Sequence, residues 1–442
     1  MVGARMDPVL LSIIGIAGML VLIALHVPIG IAMAVAGFAG VYAMLGFEPA
    51  VKMFATAPTQ TLTTQELGAI PMFLLMGSFA AAAGLSGDLY RLFHSFVGHF
   101  RGGLAMATIG GCAGFGAVCG SSVATAATFM RIALPEMLDR GYRPTLASGC
   151  IAAGGTLGIL IPPSNLMLLY AVLTEQFVVA LFTAALIPGL ICVVIYFTTI
   201  AIVVRVRPGI GPAGPRQAWI MRLRTIANCW GVLTLAFVVS GGIYGGVFTV
   251  LEAAAVGAIF SFLFTWYRGR LSREVLWRVL SQTAATTGFI YIIIIGASIF
   301  TFFVTLTQMP DALVRDIQAA QMSPGLIIFL LLVMYIILGS IFETVAAMII
   351  TLPVVFPLIV GLGYDPIWWG VINIMVIEIG QTTPPIGIIP FVLHGMMPQI
   401  PLKTIFTGII PFFFADLTRL AIIAIFPILA LWLPGKLGML GI

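Results

Sequence analysis

Two stretches of this chain, residues 135–163 and 357–385, are copies of one another at a constant offset of 222. Pro135, Gly141, Tyr142, Pro144, Gly158, Pro162 and Pro163 in the first answer to Pro357, Gly363, Tyr364, Pro366, Gly380, Pro384 and Pro385 in the second. Each copy closes on a proline pair inside an apolar run, Gly158-Ile159-Leu160-Ile161-Pro162-Pro163-Ser164 and Gly380-Gln381-Thr382-Thr383-Pro384-Pro385-Ile386. Proline lacks the N–H that a helix interior needs. A chain that interrupts its helices at matched places is confined to folds made of two repeats of one unit.

Those repeats lie in a bilayer. Of 442 residues, 61% are hydrophobic and 8% charged, against about a quarter charged in soluble domains. The first apolar run, Pro8 to Leu25, leads into Pro28 and a second span without a clear small-residue cleavage site. It reads as a helix rather than a removable signal. The five cysteines show no metal spacing and read as small packing residues.

Apolar periodicity predicts helices near 8–26, 28–46 and 69–84, a half-amphipathic piece at 85–100, a hairpin over 103–139, a broken segment over 144–174 and a helix over 180–204. Adding 222 gives 230–248, 250–268, 291–306, 325–361, 366–396 and 402–426, each on an apolar stretch. The fold class is therefore an all-α polytopic membrane protein of two repeats, 1–204 and 228–442, joined by a linker over 205–227. Each repeat crosses the membrane an odd number of times, which inverts the second relative to the first.

Arginine placement sets the orientation. Of the 20 Lys and Arg, fourteen fall inside when the N-terminus is outside; Arg5, Lys52, Arg315 and Lys436 fall outside, and Arg131 and Arg419 within spans. The positive-inside rule then makes the linker cytoplasmic. The basic clusters lie between spans and lack interleaved aromatics, which argues against nucleic acid. Trp368 and Trp369 read as interfacial anchors. The hairpin arms, about 25 Å each, are shorter than the roughly 30 Å hydrocarbon core. That favours re-entrant hairpins over two ordinary spans; charge counting does not separate the two.

The breaks are where chemistry belongs. As one helix, 144–174 would run about 46 Å. Gly154, Gly155 and Gly158 can end it through left-handed angles, and Pro162 suits the first turn of a new helix. Thr383-Pro384 reads as an N-cap followed by a first-turn proline. The hairpin tips break at Ser121/Ser122 and at Glu343/Thr344, with Ser122 and Thr344 again at the 222 offset. Half-helix N-termini suit an anion, while freed carbonyls with Ser and Thr hydroxyls suit a hard cation such as sodium. That combination is the arrangement of a cation-coupled secondary transporter of anions. Candidate solute contacts are Ser121, Ser122, Ser164, Glu343, Thr344, Thr382 and Thr383. Glu378 reads as a brace, Glu252 as a helix N-terminal anion, and Arg131 as a partner of Glu136 or a snorkelling cation. An intramembrane hydrolase built on Ser121, Ser122 or Ser298 lacks a mid-span histidine base. Paired breaks favour alternating access over an open channel.

Gly120-Ser121-Ser122-Val123-Ala124-Thr125, Leu134-Pro135-Glu136-Met137, Gly154-Gly155-Thr156-Leu157-Gly158 with Pro162-Pro163-Ser164, and Gly380-Gln381-Thr382-Thr383-Pro384-Pro385-Ile386-Gly387 resemble the large membrane subunit of tripartite ATP-independent periplasmic (TRAP) transporters. The resemblance spans nearly the whole chain. It implies an ion-transporter superfamily elevator fold in a bacterial inner membrane, not an enzyme, with sodium as coupling ion and no organic cofactor. It implies a periplasmic binding protein that delivers an organic acid, and a separate small membrane subunit of about four helices. It places one Na+ among Ser121, Ser122, Gly158, Ile161 and Pro163, and a second among Thr344, Gly380, Thr383 and Pro385. One departure is Thr249-Val250-Leu251-Glu252, where the family often has Thr-Pro-Thr-Glu; it puts the geometry of that turn in question. A self-sufficient anion/sodium symporter or an ion antiporter of the same superfamily is the alternative. No residue names the acid.

Overall fold

The computed structural model describes residues 7–439, and every regular element among them is helical. Arg5 lies outside the described residues. The first repeat comprises α1 (Pro8–Ala24), α2 (Ile29–Leu45), α3 (Phe47–Thr63), a 3-10 turn (Gln65–Gly68), α4 (Ala69–Ala83), α5 (Leu85–Val97), the hairpin α6 (Gly103–Cys119) and α7 (Ser122–Asp139), the pair α8 (Pro144–Leu160) and α9 (Asn165–Leu173), and α10 (Val178–Val206). A linker helix α11 (Trp219–Asn228) follows. The second repeat comprises α12 (Trp230–Tyr244), α13 (Val250–Tyr267), α14 (Arg273–Leu306), α15 (Met309–Ala319), the hairpin α16 (Pro324–Ile341) and α17 (Thr344–Gly361), the pair α18 (Pro366–Thr382) and α19 (Ile388–Met396), α20 (Leu402–Ile425) and α21 (Ile428–Lys436). Among the described residues seven helices are long and apolar enough to cross a membrane, or up to nine if each bent pair is one span.

The matched sequence has a local cause. Gly141 (φ 78°) and Gly363 (φ 83°) adopt left-handed angles just past α7 and α17. The amides of Tyr142 and Tyr364 then reach back to Met137 O (2.9 Å) and Ile359 O (3.1 Å), closing the same helix-ending motif twice. Pro144 and Pro366 follow as first residues of α8 and α18, where a missing N–H costs nothing.

The repeats interlock rather than stand apart. α2 packs along α14, and its duplicate α13 packs along α4, the duplicate of α14's second half. This exchange of partners is what a two-fold relation produces. Helices α1–α4 and α12–α14 make one layer; α6–α10 and α16–α21 make the other. The layers meet where α4 touches α6 and α14 touches α17. Contact is close at Gly77, where a Cβ would sit 2.8 Å from Cys119 Cα. With no hydrophobic drive between helices in lipid, such small-residue contacts carry the packing.

Several sequence expectations need correction. The predicted helix near 291–306 begins at Arg273; its counterpart in the first repeat is broken, α3 and α4 being separated by the 3-10 turn. α3 was not foreseen, because Pro58 and its threonines weaken the apolar pattern. Trp368 and Trp369 are buried rather than interfacial: Trp368 Nε1 donates to Ile423 O at 3.1 Å. The Thr249 turn keeps its geometry despite lacking proline, since Thr249 and Glu252 form a reciprocal capping box. The Thr249 backbone N–H and hydroxyl both donate to the Glu252 carboxylate, at 2.8 Å and 2.9 Å.

The arginine clusters gather at one end. Arg268 pairs with Asp88 (2.6 Å) and donates to Ala83 O (3.1 Å). The linker closes over the same end, with Gly102 N to Gly211 O at 3.0 Å and the Tyr142 hydroxyl to Pro212 O at 2.9 Å. Arg222 of α11 lies over the Phe96 ring.

Candidate functional site at the paired helix breaks

The hairpin tips break where the sequence indicates, each by its own device. In the first, Gly120 (φ 61°) ends α6 and the Ser121 hydroxyl accepts the Ala124 N–H at 3.4 Å to start α7. In the second, Glu343 caps α17, its carboxylate accepting the Val345 N–H at 3.0 Å and the Ala346 N–H at 3.4 Å. The Glu343 side chain therefore braces its own tip while the residue stays exposed.

The broken helices differ from expectation. α8 runs through Gly154, Gly155 and Gly158 to Leu160, and none of the three is left-handed. Their role is close approach. A Cβ on Gly158 would lie 2.6 Å from Thr125 Oγ1 and 2.7 Å from Ser121 O; one on Gly380 would lie 2.6 Å from Gly339 Cα. Pro162-Pro163 and Pro384-Pro385, each with a cis bond, fill the bends instead of opening helices. α9 starts on a Ser164 cap, whose hydroxyl accepts the Met167 N–H at 3.4 Å. Thr383 is likewise not an N-cap: it ends α18, its hydroxyl turned back to Ile379 O at 2.6 Å, beside Thr382 bound to the same oxygen at 3.0 Å. α19 begins only at Ile388. The cause is spacing: the proline pair removes two successive N–H groups, so no helical turn closes across it.

At the first tip the structure assembles Ser121, Gly158 and Thr125, and Pro163 O lies 3.5 Å from a Cβ built on Gly120. The Thr125 hydroxyl is fully buried and has no hydrogen-bond partner among the described residues. Buried hydroxyls are ordinarily satisfied, so this one is free to ligate. Thr125 sat inside a quoted motif without being chosen, because one threonine among small residues gives no spacing signal. Ile161 ends α8 at the bend. At the second tip Gln381 Nε2 donates to the Thr344 hydroxyl, while Gly387 N donates to Ser340 O at 2.9 Å. Pro385 lies in the bend two residues before Gly387.

The first tip reaches the broken helix of the other repeat. The Ser122 hydroxyl donates to the buried Glu378 carboxylate of α18. α7 packs on α19, and in the duplicate relation α17 packs on α9. Behind Glu378, a polar set missed in the sequence links α10 and α20. Tyr196 donates to both Asp416 oxygens at 2.8 Å, and Asp416 pairs with Arg419 at 3.0 Å, all of them buried. Thr156, which the 222 offset equates with Glu378, reaches the Tyr196 hydroxyl at 3.3 Å.

A cavity of about 1120 Å³ opens at Ser121 between α4, α7 and α14, and runs to the arginine-rich end. Arg131 lines it. The expected Arg131–Glu136 pair does not form, because Glu136 is taken by Arg140 at 2.8 Å.

Two interrupted helices, two capped hairpin tips and interlocked repeats define a secondary transporter. A family model described as "Tripartite ATP-independent periplasmic transporter, DctM component" matches residues 16–429, and the chain belongs to that family. It is a membrane transport component, not an enzyme. It is 36% identical over 415 residues, 91% of this chain and 94% of the other, to the C4-dicarboxylate TRAP transporter large permease protein DctM of Pseudomonas aeruginosa. It is 28% identical over 416 residues, 94% of this chain and 96% of the other, to the ectoine/5-hydroxyectoine TRAP transporter large permease protein UehC of Ruegeria pomeroyi. The crystal structure of the YdaH transporter from Alcanivorax borkumensis shares the fold, with a TM-score of 0.65 at 14% identity, covering 98% of this chain and 99% of that one.

Proposed function

We propose that this chain imports a small organic acid by sodium-coupled elevator movement in a bacterial inner membrane. The acid is handed over by a periplasmic binding protein, and a separate small membrane subunit of about four helices braces the chain. The observation that carries this reading is the first tip. A backbone carbonyl at Ser121 and an unpartnered, buried Thr125 hydroxyl face Gly158, whose missing side chain leaves the space between them. Oxygen ligands of this kind suit a hard monovalent or divalent cation. The N–H end of α7, whose cap is the neutral Ser121 hydroxyl, supplies the positive pole for a carboxylate.

With the N-terminus periplasmic and the arginine end cytoplasmic, the cavity at Ser121 opens inward. Sliding the hairpin layer past α4 and α14 would carry the tips to the other face, which is what an elevator requires. The relatives' names point to carboxylate-bearing solutes.

The test is uptake into proteoliposomes holding this chain and its small subunit, with the loaded binding protein outside. Accumulation should need an inward sodium gradient and the binding protein. Uptake by this chain without a binding protein would make it a self-sufficient symporter. Uptake indifferent to sodium would remove the coupling ion.

A further inference from the structure

The cavity that reaches the Ser121 tip carries four arginines and no acidic side chain among its lining residues: Arg91, Arg131, Arg270 and Arg278. Two of them are engaged. Arg91 pairs with Asp88 at 2.5 Å, and Arg270 donates to Ala83 O at 3.1 Å. Arg131 and Arg278 have no ion pair or hydrogen bond among the described residues, and both are exposed to the cavity. They line it from different helices, Arg131 on α7 of the hairpin layer and Arg278 on α14 of the other layer.

Position separates this pair from the transport site. Arg131 comes nine positions after Ser122 on α7, about 14 Å along the helix, which is farther than a four-carbon diacid spans. The two positions are about two and a half turns apart on α7. Between them α7 lines the cavity with Ala124 and Thr128, on the same face as Arg131. Low-dielectric walls focus the field of unpaired charges within such a cleft. A planar guanidinium matches a carboxylate with two parallel hydrogen bonds, and two of them can hold both ends of a diacid.

Resting on the uptake reading above, we propose that Arg131 and Arg278 form a second anion-binding site, a cytoplasmic vestibule that takes small carboxylates, dianions best, after they leave the hairpin tip. The two arginines sit on different layers, so the site exists in full only while the cavity is open to the arginine end. Movement of one layer past the other separates them and releases the anion. The vestibule thus gives the exported side of the cycle its own carboxylate selectivity, independent of the binding protein.

The experiment uses the full chain with its small subunit in lipid nanodiscs. Thr128→Cys is placed in a Cys119→Ser background, because Cys119 also lines the cavity. Rates of modification by an anionic and a cationic methanethiosulfonate reagent are compared. A local potential of a few kT predicts that the anionic reagent reacts faster, by about tenfold relative to an uncharged surface. Arg131→Gln with Arg278→Gln should bring the ratio near one, and Arg131→Lys with Arg278→Lys should restore it. Succinate at constant ionic strength should slow modification by a neutral reagent in the arginine protein and not in the double-glutamine variant. A charge ratio unmoved by neutralisation, or equal succinate protection in both proteins, overturns the vestibule. The uptake reading would survive either result, because it is judged by sodium-driven accumulation.

Discussion

The Ser122 hydroxyl donates to the Glu378 carboxylate, tying the hairpin tip of one repeat to the broken helix of the other. Glu378 is the counterpart, at the 222 offset, of Thr156. The duplicated scaffold has thus diverged at one position into a neutral hydroxyl on one side and a buried carboxylate on the other. The carboxyl group faces the repeat whose tip carries Ser121 and Thr125.

Replacing Ser122 by alanine removes a bond to a carboxylate, worth about 1.5–3 kcal/mol, and leaves Glu378 without that donor. Glu378→Gln replaces the carboxyl group by an amide that still offers an oxygen to Ser122. Both variants should raise the sodium concentration for half-maximal uptake several-fold, and Thr344→Ala should do so through the second tip. Sodium titration of uptake at saturating solute reads this directly. Curves superimposable on the wild type would remove these residues from the cation path.

Asp416 is fully enclosed with Arg419 and two bonds from Tyr196. Asp416→Asn strands the arginine, and breaking a buried pair in this way costs about 3–5 kcal/mol. The double change Asp416→Leu with Arg419→Met should recover most of that loss. Thermal unfolding of the detergent-solubilised protein distinguishes the two.

Gly158→Ala and Gly380→Ala test the close approach. A Cβ at either position meets atoms at 2.6 Å, which forces the hairpin away from its broken helix. Overpacking of this size costs about 1–3 kcal/mol, so the protein should still elute as a folded particle while uptake falls at least tenfold. Normal uptake by both variants would mean that the tip tolerates widening.

Orientation is read from a cysteine at position 215, Pro215→Cys, in the linker. An impermeant thiol reagent should label it only from the cytoplasmic side. Labelling from the periplasm reverses the topology and turns the Ser121 cavity outward.

The fold was legible because helix breaks leave a local signature. Gly141-Tyr142 with Pro144 and Gly363-Tyr364 with Pro366 specify a helix end and a restart from neighbouring residues alone. The polar set around Asp416 and Arg419 was not legible. Its members come from α10 and α20, more than 200 positions apart, and no periodicity links them. Thr125 escaped for a related reason: its lack of a partner is a property of packing, visible only once Gly158 is placed against it. The N-cap reading of Thr383 failed because local propensity favours a helix at once, whereas two adjacent prolines delay it to Ile388.

The central claim is that these breaks hold Na+, and it can be tested without knowing the solute. Melting temperatures of the purified chain are compared in sodium and potassium chloride at equal ionic strength. A ligand at a hundred times its Kd stabilises by about 2.7 kcal/mol. The unaltered protein should show a sodium-specific rise of several degrees that is lost in the Ser122→Ala, Thr344→Ala double variant. Equal melting in the two salts for the unaltered protein would contradict it.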